Sequence, residues 1–177
     1  MSHRKEVPEM ESGELPATRV GIGTDRHRLA TDLPLLLGGV EIASSHGPVA
    51  HSDGDVILHA LSDAMLGAAA AGDIGTLFPD TDPRWKGLAS RHIITEVLET
   101  IAKLGWKPGN IDVIVHLEQP KISEHRDAIR RSLAEMLGVS IDRVGVKAKT
   151  GEGIGPVGES LVIEAMAVVQ LVRSEER

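Results

Sequence analysis

Asp25 and His27 stand two residues apart, and His59 follows thirty-two residues after His27, inside the run HSDGDVILHALSD. One carboxylate and two imidazoles are the three protein donors that hold a working zinc ion when its fourth position is kept for water or a substrate. In extended chain, residues two apart project to the same side, so Asp25 and His27 point together if Arg19 to His27 (RVGIGTDRH) is a strand running into a loop. His59 falls in a helical pattern from Asp55 to about Ala71, whose apolar stripe is Ile57, Leu61, Ala64, Met65 and Ala68. It lies off that stripe, with Asp55 and Asp63 four residues to either side. That position displays the ring towards something polar and offers a carboxylate one turn away to orient it. The same spacing also describes a solvated helix face carrying one His and two Asp.

A second set is Lys147-Ala148-Lys149-Thr150-Gly151-Glu152, followed by GIGPVG. A strand ending in Lys, Thr and Gly offers a charge, a hydroxyl and backbone N–H groups to phosphate oxygens, and Glu152 offers a carboxylate to a hard divalent ion such as magnesium or manganese. Such sequences also make plain strand-to-turn connections. GIGTD, from Gly21, lacks the Lys-Ser/Thr of a P-loop and the third Gly of a dinucleotide fingerprint.

These residues need elements to carry them. Pro34 to Ile42 reads as two short apolar pieces joined at Gly38-Gly39, and Ala43 to Gly54 as loop. The Asp55 helix is followed by a loop from Gly72 to Gly87. Ser90 is placed as the N-cap of a second helix with Ile93, Ile94, Val97, Ile101 and Leu104 inward and Gly105 past its end. Asn110 to Leu117 alternates as a strand, with Ile111, Val113, Val115 and Leu117 on one face. A third helix starts near Ser123, turns Ile129, Leu133, Met136 and Leu137 inward and stops at Gly138. Arg143 to Lys149 reads as a strand, with Val144, Val146 and Ala148 on its buried side. Leu161 to Val172 is a long apolar strand suited to burial on both faces or against another subunit. The order predicts an α/β (α+β) sandwich, one mixed β-sheet covered by helices on one side.

With 177 residues the chain is most simply one domain over 18–173, preceded by a disordered extension over 1–17 and followed by a tail over 174–177. A net charge of -7 without a basic run, and only two Trp, one Phe and no Tyr, exclude a nucleic-acid binder. With no cysteine, any metal site must use His, Asp and Glu. No apolar span has membrane length and no targeting pattern stands out, so the expected location is cytoplasmic.

The segments GIGTDRHRL, LLLGGVEI, AHSDGDVILHALSDAMLGAAAAGDIGTLFPDTDP, GNIDVIV, QPKISEH and VKAKTGE, in this order, resemble the 2-C-methyl-D-erythritol 2,4-cyclodiphosphate synthase family over roughly Thr18 to Val172. The resemblance implies Asp25, His27 and His59 as zinc ligands, His51 and Ser52 facing substrate phosphates, and His51 with Thr150 stabilising the transition state. It implies Glu152 as the ligand of a second divalent ion, magnesium or manganese. Asp73, Gly75 and the Phe78 to Asp82 stretch, with Asp80 and Asp82, match the loop around the methylerythritol portion, and Pro120-Lys121 matches the cytidine pocket. The implied reaction closes 4-diphosphocytidyl-2-C-methyl-D-erythritol 2-phosphate to a cyclic diphosphate with loss of CMP, in a homotrimer whose active sites lie between adjacent subunits. A zinc-dependent phosphohydrolase and a non-catalytic metal-binding scaffold are the competing readings. Two departures stand out. Lys149 replaces a frequent Thr beside Thr150, and Glu159 replaces an Arg that lies towards the trimer cavity, which predicts weak or absent binding of isoprenoid diphosphates there.

Overall fold

The computed structural model describes residues 17–79 and 87–174. Of the expected extension over 1–17 and tail over 174–177, residues 1–16 and 175–177 lie outside the described residues, as do Asp80 and Asp82. The strands are β1 (Thr18–Thr31), β2 (Leu35–Leu37), β3 (Val40–Ile42), β4 (His46–Val49), β5 (Trp106–His116), β6 (Val144–Lys149) and β7 (Val162–Arg173). The helices are α1 (Val56–Ala69), α2 (Ile74–Leu77), α3 (Ser90–Lys103), α4 (Arg126–Leu137) and α5 (Gly155–Gly158). Five strands form one mixed sheet in the order β4-β1-β7-β5-β6, in which only β5 and β6 run parallel. The small hairpin β2-β3 turns through Gly38 and Gly39, both at positive φ, where a side chain would strain the backbone.

Period-two alternation decides which sheet face is covered. Ile163, Ala165, Ala167, Val169 and Leu171 of β7 are buried, as are Ile111, Val113 and Val115 of β5 and Val144 and Val146 of β6. Pairing aligns these into rows, so that Gly23 lies beside Ala167 and Val113, and Asp25 beside Ala165 and Val115. Helices α1, α3 and α4 pack on this face. On the other face Val20 and Ile22 are 68% and 63% exposed, and Met166 and Val168 are open beside them.

β1 and α1 touch along their backbones. A Cβ at Gly21 would stand 2.0 Å from the Ala64 carbonyl oxygen, and one at Gly23 would stand 2.1 Å from that of Ala60. Only glycine permits this approach. Helix α1 is consequently buried nearly all round, and of its fourteen residues only Asp63 and Gly67 escape burial. The expected polar face is therefore absent, because β1, β7, α3 and the β2 strand surround the helix.

Several boundaries differ from the sequence reading. β1 continues to Thr31, and the expected loop after Ala43 contains β4, which pairs with β1. The expected loop after Gly72 opens with α2, capped by the Asp73 carboxylate on the Thr76 N–H at 2.7 Å. Ala89, not Ser90, is the N-cap of α3, and Leu104 is exposed beyond its end. α4 begins at Arg126 after a single 3-10 turn at Ile122–Glu124, and ends on Gly138 in the left-handed region. β7, expected to be buried on both faces or against another subunit, is buried on one face within the chain.

Candidate active site

Because β1 and α1 run past each other at glycine distance, the next two inward positions after Gly23 come level with the first turns of α1. These are Asp25 and His27, and the α1 residue they meet is His59. Asp25 Oδ2 lies 3.0 Å from His27 Nε2 and 2.9 Å from His59 Nδ1, and the two ring nitrogens are 3.4 Å apart. Ligands about 2.0 to 2.1 Å from a tetrahedral zinc stand roughly 3.3 Å from one another, so the three donors fit a divalent cation without rearrangement of the elements. The imidazoles meet edge to face at 84°. Burial opposes ionisation of Asp25, but hydrogen bonds and charge from His27 and His59 outweigh it and hold the carboxyl well below the ordinary range. For His59 burial likewise opposes the charged form, and Asp25, Asp55 and Asp53 reverse the balance and raise its pKa.

The sequence offered Asp55 or Asp63 to orient the His59 ring, and the structure uses neither. Asp55 is the N-cap of α1, accepting from Ile57 and Leu58 N–H at 3.1 and 3.2 Å, and also from Gly38 and Gly39 N–H at 2.9 and 2.6 Å. It ties the β2-β3 turn to the helix. Burial pushes its carboxyl up to about 6 despite those donors. Asp63 accepts from the Ile74 N–H at 2.8 Å and so fastens α2, with burial again raising its pKa. The side chains on His59 Nε2 are instead Ser90 and Ser52, with hydroxyls at 2.9 and 3.2 Å. Ser90 reaches the site from the first residue of α3, and no local spacing relates it to His59.

A cavity of about 320 Å³ opens beside the triad. His51, Ser52, Gly75 and Phe78 line it together with Asp25, His27 and His59, over an apolar floor that includes Ile74 and Ile93. Asp73, expected in the same loop, faces solvent, and its Thr76 hydrogen bonds lower its pKa.

The second set gathers elsewhere, where the parallel strands β5 and β6 end together. His116 pairs with Lys149, Leu117 N–H donates to the Lys149 carbonyl at 2.9 Å, and Gly151 N–H donates to Glu118 Oε2 at 2.9 Å. The Thr150 hydroxyl donates to Glu152 Oε1 at 3.0 Å, and Glu152 turns the chain at positive φ. Pro120, after a cis peptide bond, and exposed Lys121 flank this corner. None of Lys121, Lys149, Thr150 or Glu152 lines the triad cavity. Strands β7 and β5 separate β6 from β1, a width of about 14 Å at ordinary strand spacing. One chain therefore holds the two sets of residues apart.

Fold and site together define an α/β protein with a carboxylate and two imidazoles that fit a divalent metal beside a cavity. The chain belongs to the YgbB family, whose model it matches over residues 18–172. It is 51% identical over 153 residues to the 2-C-methyl-D-erythritol 2,4-cyclodiphosphate synthase of Pseudomonas aeruginosa strain UCBPP-PA14, an alignment that spans 85% of this chain and 98% of the relative. Among solved structures, one titled 2C-methyl-D-erythritol-2,4-cyclodiphosphate synthase superposes with a TM-score of 0.81 at 45% identity, covering 86% of this chain and 99% of that one. Another of the same title, in a bound form with CDP, has a TM-score of 0.81 at 42% identity over the same shares.

Proposed function

We infer that this chain is a 2-C-methyl-D-erythritol 2,4-cyclodiphosphate synthase, a phosphorus-oxygen lyase of non-mevalonate isoprenoid biosynthesis. The observation that carries the reading is the Asp25/His27/His59 donor cluster opening on a cavity in a chain half identical to synthases of that name. The substrate is 4-diphosphocytidyl-2-C-methyl-D-erythritol 2-phosphate. An oxygen of its 2-phosphate attacks the β-phosphorus, the bond from that phosphorus to the oxygen of the α-phosphate breaks, and CMP leaves. The substrate carries its own nucleophile, so the protein has to place two anionic groups in line and relieve their repulsion.

Zinc on Asp25, His27 and His59, with magnesium or manganese on Glu152, supplies the charge neutralisation. His51 and Ser52 hold phosphate oxygens at the cavity mouth, and His51 with the Thr150 hydroxyl stabilises the charge that builds up as the ring closes. Lys149 adds an ammonium beside Thr150. Gly75 and Phe78 in the cavity wall, with Asp73 in the same loop, take the methylerythritol portion, and Pro120 and Lys121 take the cytidine, in keeping with the CDP-bound relative.

The two sets of residues are joined if β6 of one chain faces β1 of the next, and the exposed Val20, Ile22, Met166 and Val168 supply an apolar face for such assembly. We therefore place the active site between the subunits of a homotrimer. The absence of cysteine suits a cytoplasmic enzyme. Glu159, exposed at the end of α5, leaves no cation at that position for an isoprenoid diphosphate. Phosphorus NMR of the protein with zinc, magnesium and the diphosphocytidyl substrate tests the reaction. Stoichiometric CMP and a cyclic diphosphate resonance are expected, while CMP with an open-chain product would make the protein a hydrolase and overturn the reading.

A further inference from the structure

His59 presents its two ring nitrogens to different surroundings. Nδ1 faces Asp25 and His27, and Nε2 faces the hydroxyls of Ser90 at 2.9 Å and Ser52 at 3.2 Å. A neutral imidazole has one N–H and one lone pair, and the partner of the nitrogen turned away from the metal decides which is which. Ser90 is fully buried. Its hydroxyl is hydrogen-bonded to Asp53 Oδ1, and its backbone N–H donates to Asp53 Oδ2 at 3.0 Å. A carboxylate only accepts, so the single hydroxyl proton of Ser90 goes to Asp53, and towards His59 the hydroxyl can offer only a lone pair.

We propose that Asp53 and Ser90 are positioning residues for the metal centre: they fix His59 as the Nε2–H tautomer and aim the Nδ1 lone pair between Asp25 and His27. The proposal rests on the triad being the metal site inferred above. Ser52 also touches Nε2, but it lines the cavity and accepts the Gly54 N–H at 3.1 Å, so it is placed to turn to a ligand while buried Ser90 keeps the ring in place. Asp53 belongs to the loop before α1 and Ser90 opens α3, so the relay also registers α3 against the metal-bearing end of α1.

The test compares the wild type with Ser90→Ala, which keeps the backbone N–H bond to Asp53 that holds the start of α3, and with Asp53→Asn as a second variant. Zinc affinity is read by competition with a chromophoric chelator, and the ligand field by the visible spectrum of the cobalt-substituted protein. Thermal unfolding of the metal-free forms reports folding. Ser90→Ala, folded, is expected to bind zinc about 10- to 100-fold more weakly and to shift the cobalt bands, with Asp53→Asn changing both in the same direction. Zinc affinity within about twofold of wild type and an unchanged cobalt spectrum in both folded variants would overturn the relay. Neither readout involves turnover, so failure of the synthase reading would show separately, in the product analysis.

Discussion

Asp25 Oδ2 serves both imidazoles of the triad, and the lowered pKa of its carboxyl keeps it a charged donor well into acid. Asp55, four residues before His59, has the opposite character. It is fully buried, and its pKa is raised to about 6, above the ordinary value of 3.8. The folded state thus binds that proton more tightly than the unfolded chain does. Its contribution is fully present below the unfolded value and is lost as pH rises through about 6, a loss of about 3 kcal/mol when complete. In urea unfolding of the metal-free protein at pH 4.5 and pH 7, the stability of wild type minus that of Asp55→Asn should be larger at the lower pH. An equal difference at the two pH values would remove Asp55 as the titrating group.

At the scale of elements, the metal centre depends on how closely one strand approaches one helix. A methyl group at Gly23 would meet the Ala60 carbonyl oxygen at 2.1 Å and the Ala64 nitrogen at 2.6 Å, both backbone atoms that no rotamer can move. Gly23→Ala should therefore push β1 away from α1 and separate Asp25 and His27 from His59. A loss of about 3 kcal/mol in denaturant unfolding is expected, together with weaker zinc binding. Zinc affinity unchanged in a destabilised variant would show that the triad does not depend on this contact. Glycines at residues 21 and 23 in a strand otherwise rich in branched side chains hint at a close approach, but the sequence does not name the helix that approaches.

For the whole molecule, the separation of the triad from the Thr150 corner and the open apolar sheet face are what the proposed assembly would bring together. Ile22→Glu places a charge in the middle of the apolar face opposite α1. Sedimentation should find about three chains per particle in the wild type and single chains in this variant, which keeps the zinc triad but loses turnover. A variant that stays trimeric and active would mean assembly uses another surface. Complementation addresses the shared site directly. His59→Ala and Thr150→Ala are each expected to be inactive, and subunits exchanged at equal amounts should recover about a quarter of wild-type activity, since that share of interfaces pairs two intact halves. No recovery after proven exchange would return both halves to one chain.

The sequence by itself singled out Asp25, His27 and His59 and the kinds of element that carry them. Asp25-x-His27 shows the period of a strand, the pattern from Asp55 marks a helix, and the alternation of Ile111, Val113 and Val115 gives the buried face of β5. These are local regularities, written within a few residues of one another. The all-round burial of α1, the hydroxyls of Ser90 and Ser52 on His59, the role of Asp55 at the β2-β3 turn, and the distance between the triad and Thr150 were decided only in three dimensions. Each joins segments from distant parts of the chain or strands that are not neighbours in sequence. Such contacts follow from how strands order in the sheet and how closely helices settle on it, and neither leaves a period to read.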